Sequence, residues 1–165
     1  MHQLGEAKET QAIEAAVRDL FRAENGPGGG DDEEFVTQPD NTAQSVRDVA
    51  ERILANDYLP ITRGRGQMAR DRNYTIQKIV NGSSSFRRHV TRATIQVELF
   101  LDDQVAIARS LLPTTDFSAS PPVEASYRNT HVFLKRDSNW KCITTNRKLN
   151  KSGRSNYGKE HCDLL

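Results

Sequence analysis

Tyr127-Arg128-Asn129-Thr130-His131-Val132-Phe133-Leu134-Lys135-Arg136-Asp137-Ser138-Asn139-Trp140-Lys141-Cys142-Ile143 is the stretch on which the fold turns. Residues Tyr127 to Arg136 read as one long strand. Asp137-Ser138-Asn139 is a run of turn formers that sends the chain back, and Trp140 opens a return strand ending at Leu149. The same two-residue period extends upstream. Ala93, Ile95, Val97, Leu99 and Leu101 alternate with Thr94, Gln96, Glu98 and Phe100, which describes a half-buried strand. Val90 falls on the opposite parity, so a bulge or bend is expected near Thr91. Asp102-Asp103-Gln104 turns that strand into another over Val105 to Leu112, and a loop with Pro113, Pro121 and Pro122 leads on to Tyr127.

Before this region the period is helical. Ala12, Ile13, Ala16, Val17, Leu20 and Phe21 line one face of a helix over residues 10–24, with Thr10 placed to cap it. Asn25-Gly26-Pro27-Gly28-Gly29-Gly30 ends it. A second helix is expected from Ser45 to Asn56, with Val46, Val49, Ala50, Ile53 and Leu54 apolar and Ser45/Asp48 resembling a capping box. A short strand, Tyr58 to Thr62, follows. Pro60 lacks an amide proton, so this strand is expected to lie at an edge or to be very short. A short helix over Asp71 to Val80 completes the first half. Helices first and meandering strands afterwards specify an α+β fold, with N-terminal helices packed on one face of a curved sheet. The expected division is an extension over residues 1–9, a domain over 10–149 with an insertion loop at 26–44, and a polar tail over 150–165.

A chain of 165 residues with 36% apolar and 27% charged content is a soluble globular composition for one domain. No apolar run spans a membrane and no secretory signal opens the chain, so a cytoplasmic protein is expected. The two cysteines, Cys142 and Cys162, form no disulfide framework, and neither lies at zinc-ligand spacing. Charge is split unevenly. Residues 1–57 carry five basic and thirteen acidic side chains, the remainder eighteen and nine. The basic residues are dispersed and aromatics are few, which argues against a nucleic-acid surface; Arg63-Gly64-Arg65-Gly66 is a single copy of a weak signal. The acidic run Asp31-Asp32-Glu33-Glu34 reads as solvated loop. There is no phosphate loop, nucleophile elbow or zinc-helix motif.

Two segments carry a resemblance. Ile53-Leu54-Ala55-Asn56-Asp57-Tyr58 is similar to the helix end and Asp-aromatic step of nuclear transport factor 2-like proteins. The Tyr127-to-Ile143 stretch resembles their SnoaL-like and kinase association-domain branches, with an Arg-x-Thr-x-Val-aromatic strand, a charged turn and a Trp opening the last strand. The resemblance covers roughly Thr10 to Leu149. It implies a cone whose sheet wraps a central cavity, a homodimer, and either cofactor-free chemistry (isomerase, dehydratase or cyclase, on a small hydrophobic carbonyl-type substrate) or a non-catalytic interaction module. Fold alone does not choose between these.

Asp57, between an apolar stripe and a strand, is the candidate base: a carboxylate pointing into an apolar cone has its pKa raised toward neutrality. The alternative is an Asp that caps the junction through its own backbone. His131 is the candidate acid or second base, with Asn129 and Tyr127 two and four residues away on the same face to orient a carbonyl; a satisfied histidine on a sheet face or at a dimer interface is the alternative, as for His89. Thr144 and Asn146, expected on the face of Trp140, and Tyr58 and Arg92 complete the candidate ligand set. Arg88 and Arg92, alternating with apolar neighbours on the longest strand, are suited to hold a carboxylate bidentately if buried; exposure on the convex face or a salt bridge at a dimer interface is the commoner alternative. Trp140 and Cys142 read as core. No metal or cofactor is expected.

Overall fold

The computed structural model describes residues 2–28, 42–61, 70–82 and 85–150. The acidic run at Asp31, the Arg63-to-Gly66 turn, and the tail with Cys162 lie outside the described residues.

Helix α1 spans His2–Glu24, so Thr10 lies within the helix and does not start it. The Glu-, Ala-, Lys- and Gln-rich segment before Thr10 consists largely of good helix formers. Glu9 also fixes it in place by accepting from Lys135 Nζ at 2.8 Å and from Trp140 Nε1. Ile13, Val17, Leu20 and Phe21 are buried, as their spacing requires. Helix α2 is Ala43–Ile53, capped by the Thr42 hydroxyl, which accepts from Ser45 N–H at 3.1 Å. Helix α3 is Arg72–Val80, capped by Asp71, whose carboxylate accepts from Tyr74 N–H at 2.8 Å.

Among the described residues five strands follow: β1 Phe86–Arg88, β2 Thr94–Phe100, β3 Val105–Asp116, β4 Val123–Arg136 and β5 Asn139–Leu149. β1 and β2 pair in succession with one edge of β3, and β4 and β5 continue beyond it. The bend expected near Thr91 is realised as a turn between β1 and β2, closed by Arg92 N–H to His89 O. Past α2 the chain runs beside β5 in parallel, with Ala55 N–H on Cys142 O, Leu59 N–H on Ile143 O and Ile61 N–H on Thr145 O. The amides of Leu59 and Ile61 face β5, so position 60 faces away from the sheet, where Pro60 has no donor to leave unpaired.

The sheet is strongly curled, and a bulge between Val132 and Phe133 helps bend it. All three helices contribute to the core on its inner face. Phe21, Ile53, Leu54 and Ile79 meet Val90, Ala106, Ala108, Leu112, Phe133 and Cys142. Gly26 ends α1 with φ +76, and a Cβ there would stand 3.0 Å from Gly82 O. Two glycines thus bring the ends of α1 and α3 into backbone contact. Among the described residues no helix is long and apolar enough to cross a membrane.

Candidate functional site

The bulge decides which side chains of β5 face inward. Before it, Cys142 pairs with Phe133 on the inner face; after it, Thr145 pairs with His131 and Arg147 with Asn129. The expected inner pair, Thr144 and Asn146, therefore moves to the other parity, and Asn146 borders the cavity only at the sheet edge beside Ile61. Thr144 Oγ1 donates to Leu59 O at 2.6 Å along the sheet edge. The inserted residue reverses the register for everything beyond it, and periodicity in a single strand cannot show that.

A cavity of about 660 Å³ opens inside the cone, bounded by α3, β1 and the inner faces of β3 to β5. Tyr58, Tyr74, Phe86 and Tyr127 give it aromatic walls, with Leu112 and Ile79 between them. At its inner end three charges meet. Glu24, the last residue of α1, accepts from Arg147 at 2.7 and 3.0 Å and lies 2.9 Å from Arg88 Nε. Arg88 also caps α1 by donating to Glu24 O at 2.7 Å. These side chains are mostly enclosed, at 13%, 16% and 28% exposure for Glu24, Arg88 and Arg147. Burial alone would raise the Glu24 carboxyl, but Arg147 and Arg88 outweigh it and hold the group below its usual value. Arg88 is lowered by burial, in part offset by Glu24. Arg88 Nε, despite its 2.9 Å approach, has no hydrogen-bonded acceptor in line, so a buried donor is left over.

Behind this cluster stands Asn129. It is fully buried, accepts from Arg147 Nε at 2.6 Å and donates toward Ser110 Oγ and Tyr127 O at 3.3 Å. Its amide holds the guanidinium and does not line the cavity. His131 is buried too, between the rings of Phe21 and Phe133 at 5.7 and 6.4 Å. Its Nδ1 is 2.9 Å from Thr145 Oγ1, and Nε2 has no partner. Burial, and then the charge of Arg147, push its pKa down to about 4 against a partial offset from Glu24, so the ring is neutral near pH 7. Thr145 also engages the Tyr58 hydroxyl, whose pKa burial raises.

Asp57 stands elsewhere. Its side chain is 62% exposed and forms a two-pronged pair with Arg136 at 2.6 and 2.9 Å, which holds its pKa below the ordinary value. The structure thus brings together Tyr58, Tyr127, Asn146 and Arg88 around the cavity, sets His131 and Asn129 behind it, and leaves Asp57, Thr144 and Arg92 off its lining. Glu24 and Arg147 are cavity residues that the sequence reading did not select. One signal was available for Glu24: a carboxylate in the last turn of a helix opposes the helix dipole, and such a local conflict points to a compensating partner. Among the described residues no group of His, Cys, Asp and Glu is arranged to hold a metal.

No family model matches the sequence, and no curated protein does. Solved structures do. LinA is 12% identical with a TM-score of 0.62, over 91% of this chain and 91% of that one. The calcium/calmodulin-dependent kinase II hub of S. rosetta is 14% identical with a TM-score of 0.59, over 86% of this chain and 96% of the hub. A chain assigned as a scytalone dehydratase from Novosphingobium aromaticivorans is 13% identical with a TM-score of 0.58, over 99% and 98%. These are nuclear transport factor 2-like structures. The chain has that fold, an α+β cone of helices on a curled sheet. Its structural neighbours include both enzymes and kinase hubs.

Proposed function

We propose that this chain is a small-molecule-binding domain whose cone receives an apolar or aromatic carboxylate. One observation carries the reading: two guanidinium groups and one carboxylate share the inner end of the cavity, leaving an excess positive charge and an unused buried donor on Arg88. A buried charge without a counter-ion is costly, and a planar guanidinium matches a carboxylate. The aromatic walls suit an apolar ligand body, and about 660 Å³ is the size of a small-ligand site. Acid–base catalysis by Asp57 and His131 finds no support in the geometry. The first is ion-paired outside the cavity, and the second is a neutral ring behind its wall. The test is calorimetric titration with phenylalkanoate anions and their carboxamides. The carboxylates should bind about ten- to a hundredfold more tightly than the amides, and Arg88→Gln should erase the difference. Equal affinity for both would overturn the reading.

A second reading, a non-catalytic homodimeric module, is favoured by the outer face of the sheet. Phe100 is 41% exposed there, and Val105, Ile107, Val132 and Leu134 lie on that same face only half covered. The likeness to a kinase hub supports assembly as such. Light scattering across a hundredfold concentration range tests it: a mass of one chain throughout rules it out.

A further inference from the structure

The entrance to the cavity has its own charge pattern. Arg70, Tyr74 and Lys78 follow one another at four-residue spacing, from the residue before the α3 cap through the helix, and all three line the cavity. Four-residue spacing puts Tyr74 and Lys78 on one face of α3, and Arg70, which precedes the helix, reaches the same side by lying over the Tyr74 ring. Tyr74 is 41% exposed and Lys78 is exposed, whereas Glu24, Arg88 and Arg147 are mostly enclosed, so the α3 stripe forms the rim and the Arg–Glu–Arg cluster the inner end. The Arg70 guanidinium lies 5.6 Å from the centre of the Tyr74 ring. No carboxylate is within ion-pair reach of Arg70 or Lys78 among the described residues. Among the described residues Glu24 is the only acidic one lining the cavity, and both its oxygens are already engaged by Arg147.

Positive charge is therefore in excess at two separate places, with aromatic rings between them. From this we infer that the pocket is built for a dianion: an aromatic or apolar body with one carboxylate seated on Arg88 and Arg147 and a second anionic group, a carboxylate or phosphate, met by Arg70 and Lys78 at the rim. This deepens, and rests on, the carboxylate reading of the inner end. The two cationic places differ in kind. The inner one is rigid and dehydrated, so it discriminates by shape and hydrogen bonding. The rim is solvated, so it acts through screened attraction, weaker per charge and dependent on salt.

The experiment is isothermal titration of the intact chain at low and at moderate salt. The probes are a graded set of aromatic dicarboxylates, from terephthalate to biphenyl dicarboxylate, each beside its monomethyl ester. At least one dicarboxylate should bind about three- to tenfold more tightly than its monoester, and that advantage should shrink as salt rises. Arg70→Gln with Lys78→Gln should remove the advantage while leaving monoester affinity in place. Arg128→Gln with Lys148→Gln takes an equal charge from the outer sheet face, away from the cavity, and should leave both affinities unchanged. Arg88→Gln should weaken diacid and monoester alike. If every dicarboxylate binds no better than its monoester, the dianion inference fails and the carboxylate reading stands. If neither class binds, both fail. An advantage lost equally in the Arg128→Gln, Lys148→Gln protein would show that net charge, and not Arg70 and Lys78, attracts the second group, and would also overturn the inference.

Discussion

Replacing Glu24 by Gln tests the inner cluster directly. Gln has nearly the same shape and retains one acceptor, so packing is kept and only the charge is lost. Two guanidinium groups, at 16% and 28% exposure, would then face each other without a counter-ion. Removing one partner of a buried ionic group costs about 3–5 kcal/mol, and the retained acceptor places this change at about 3. For a chain of this size that is a fall in melting temperature of about 6–12 °C. The sign of the pH dependence follows from the lowered carboxyl of Glu24. A group whose folded pKa lies below its unfolded value stabilises fully above the unfolded value, here 4.5, and loses that contribution as pH falls through the folded value. Parent and variant should therefore differ most near neutral pH and converge in acid below pH 4.5. An aromatic carboxylate should restore more stability to the variant than to the parent, since the vacated site carries one more positive charge. At a hundred times its dissociation constant it would return about 2.7 kcal/mol. Differential scanning calorimetry from pH 3 to 8, with and without ligand, reads all three effects. A variant melting within 2 °C of the parent at pH 7 would refute the argument that Glu24 neutralises a buried pair.

Other substitutions probe the remaining features. His131, at a pKa of about 4 against an ordinary 6.5, resists protonation in the fold, so its contribution is complete above 6.5 and is lost as pH falls toward 4. Urea unfolding should show about 3 kcal/mol lost across that window, and His131→Gln should flatten the slope while leaving ligand affinity at pH 7 nearly unchanged. A slope that survives the substitution would assign the loss to other groups. Cys142, buried with its thiol pushed up to about 12, should resist a thiol reagent at pH 8 until the chain unfolds; labelling of the native protein at that position would contradict its burial. Gly26→Ala forces a Cβ to 3.0 Å from a backbone oxygen at positive φ and should cost more than about 1 kcal/mol by urea titration. Asp57→Asn should leave carboxylate affinity unaltered in the same calorimeter, because Asp57 lies outside the cavity.

The fold was legible because its signals are periodic. A 3.6-residue stripe in α1 and two-residue alternation in β2 and β4 each require one face to be covered, and one arrangement of layers covers all of them. Pro60 marked an edge, and the edge is where it lies. The candidate site was legible only in part. Tyr58, Tyr127 and Asn146 belonged to the candidate ligand set and line the cavity, whereas Arg92, preferred there to Arg88, lies off it and Arg88 lines it. His131, Asn129 and Tyr127 share one face of their strand, but alternation alone does not say which face lines the cavity, and the layer behind a wall and the wall itself have the same parity. Asp57 could not be placed, since its position is set by Arg136, seventy-nine residues away. Glu24 and Arg147 were missed for a related reason. Their meeting is a tertiary event between the end of the first helix and the end of the last strand, and no local pattern in either segment announces it.

The outward-facing Pro60 sets a rule for how copies of this chain can add to one another. A sheet grows sideways by lending unpaired amides and carbonyls to a new strand, and the run beside β5 has a gap in that row where the proline ring stands. Lateral growth into ribbons is blocked on that flank. Any stable assembly there has to come from side chains meeting across the broad face of the sheet, a geometry that closes after a fixed number of copies where an open edge would recruit without limit.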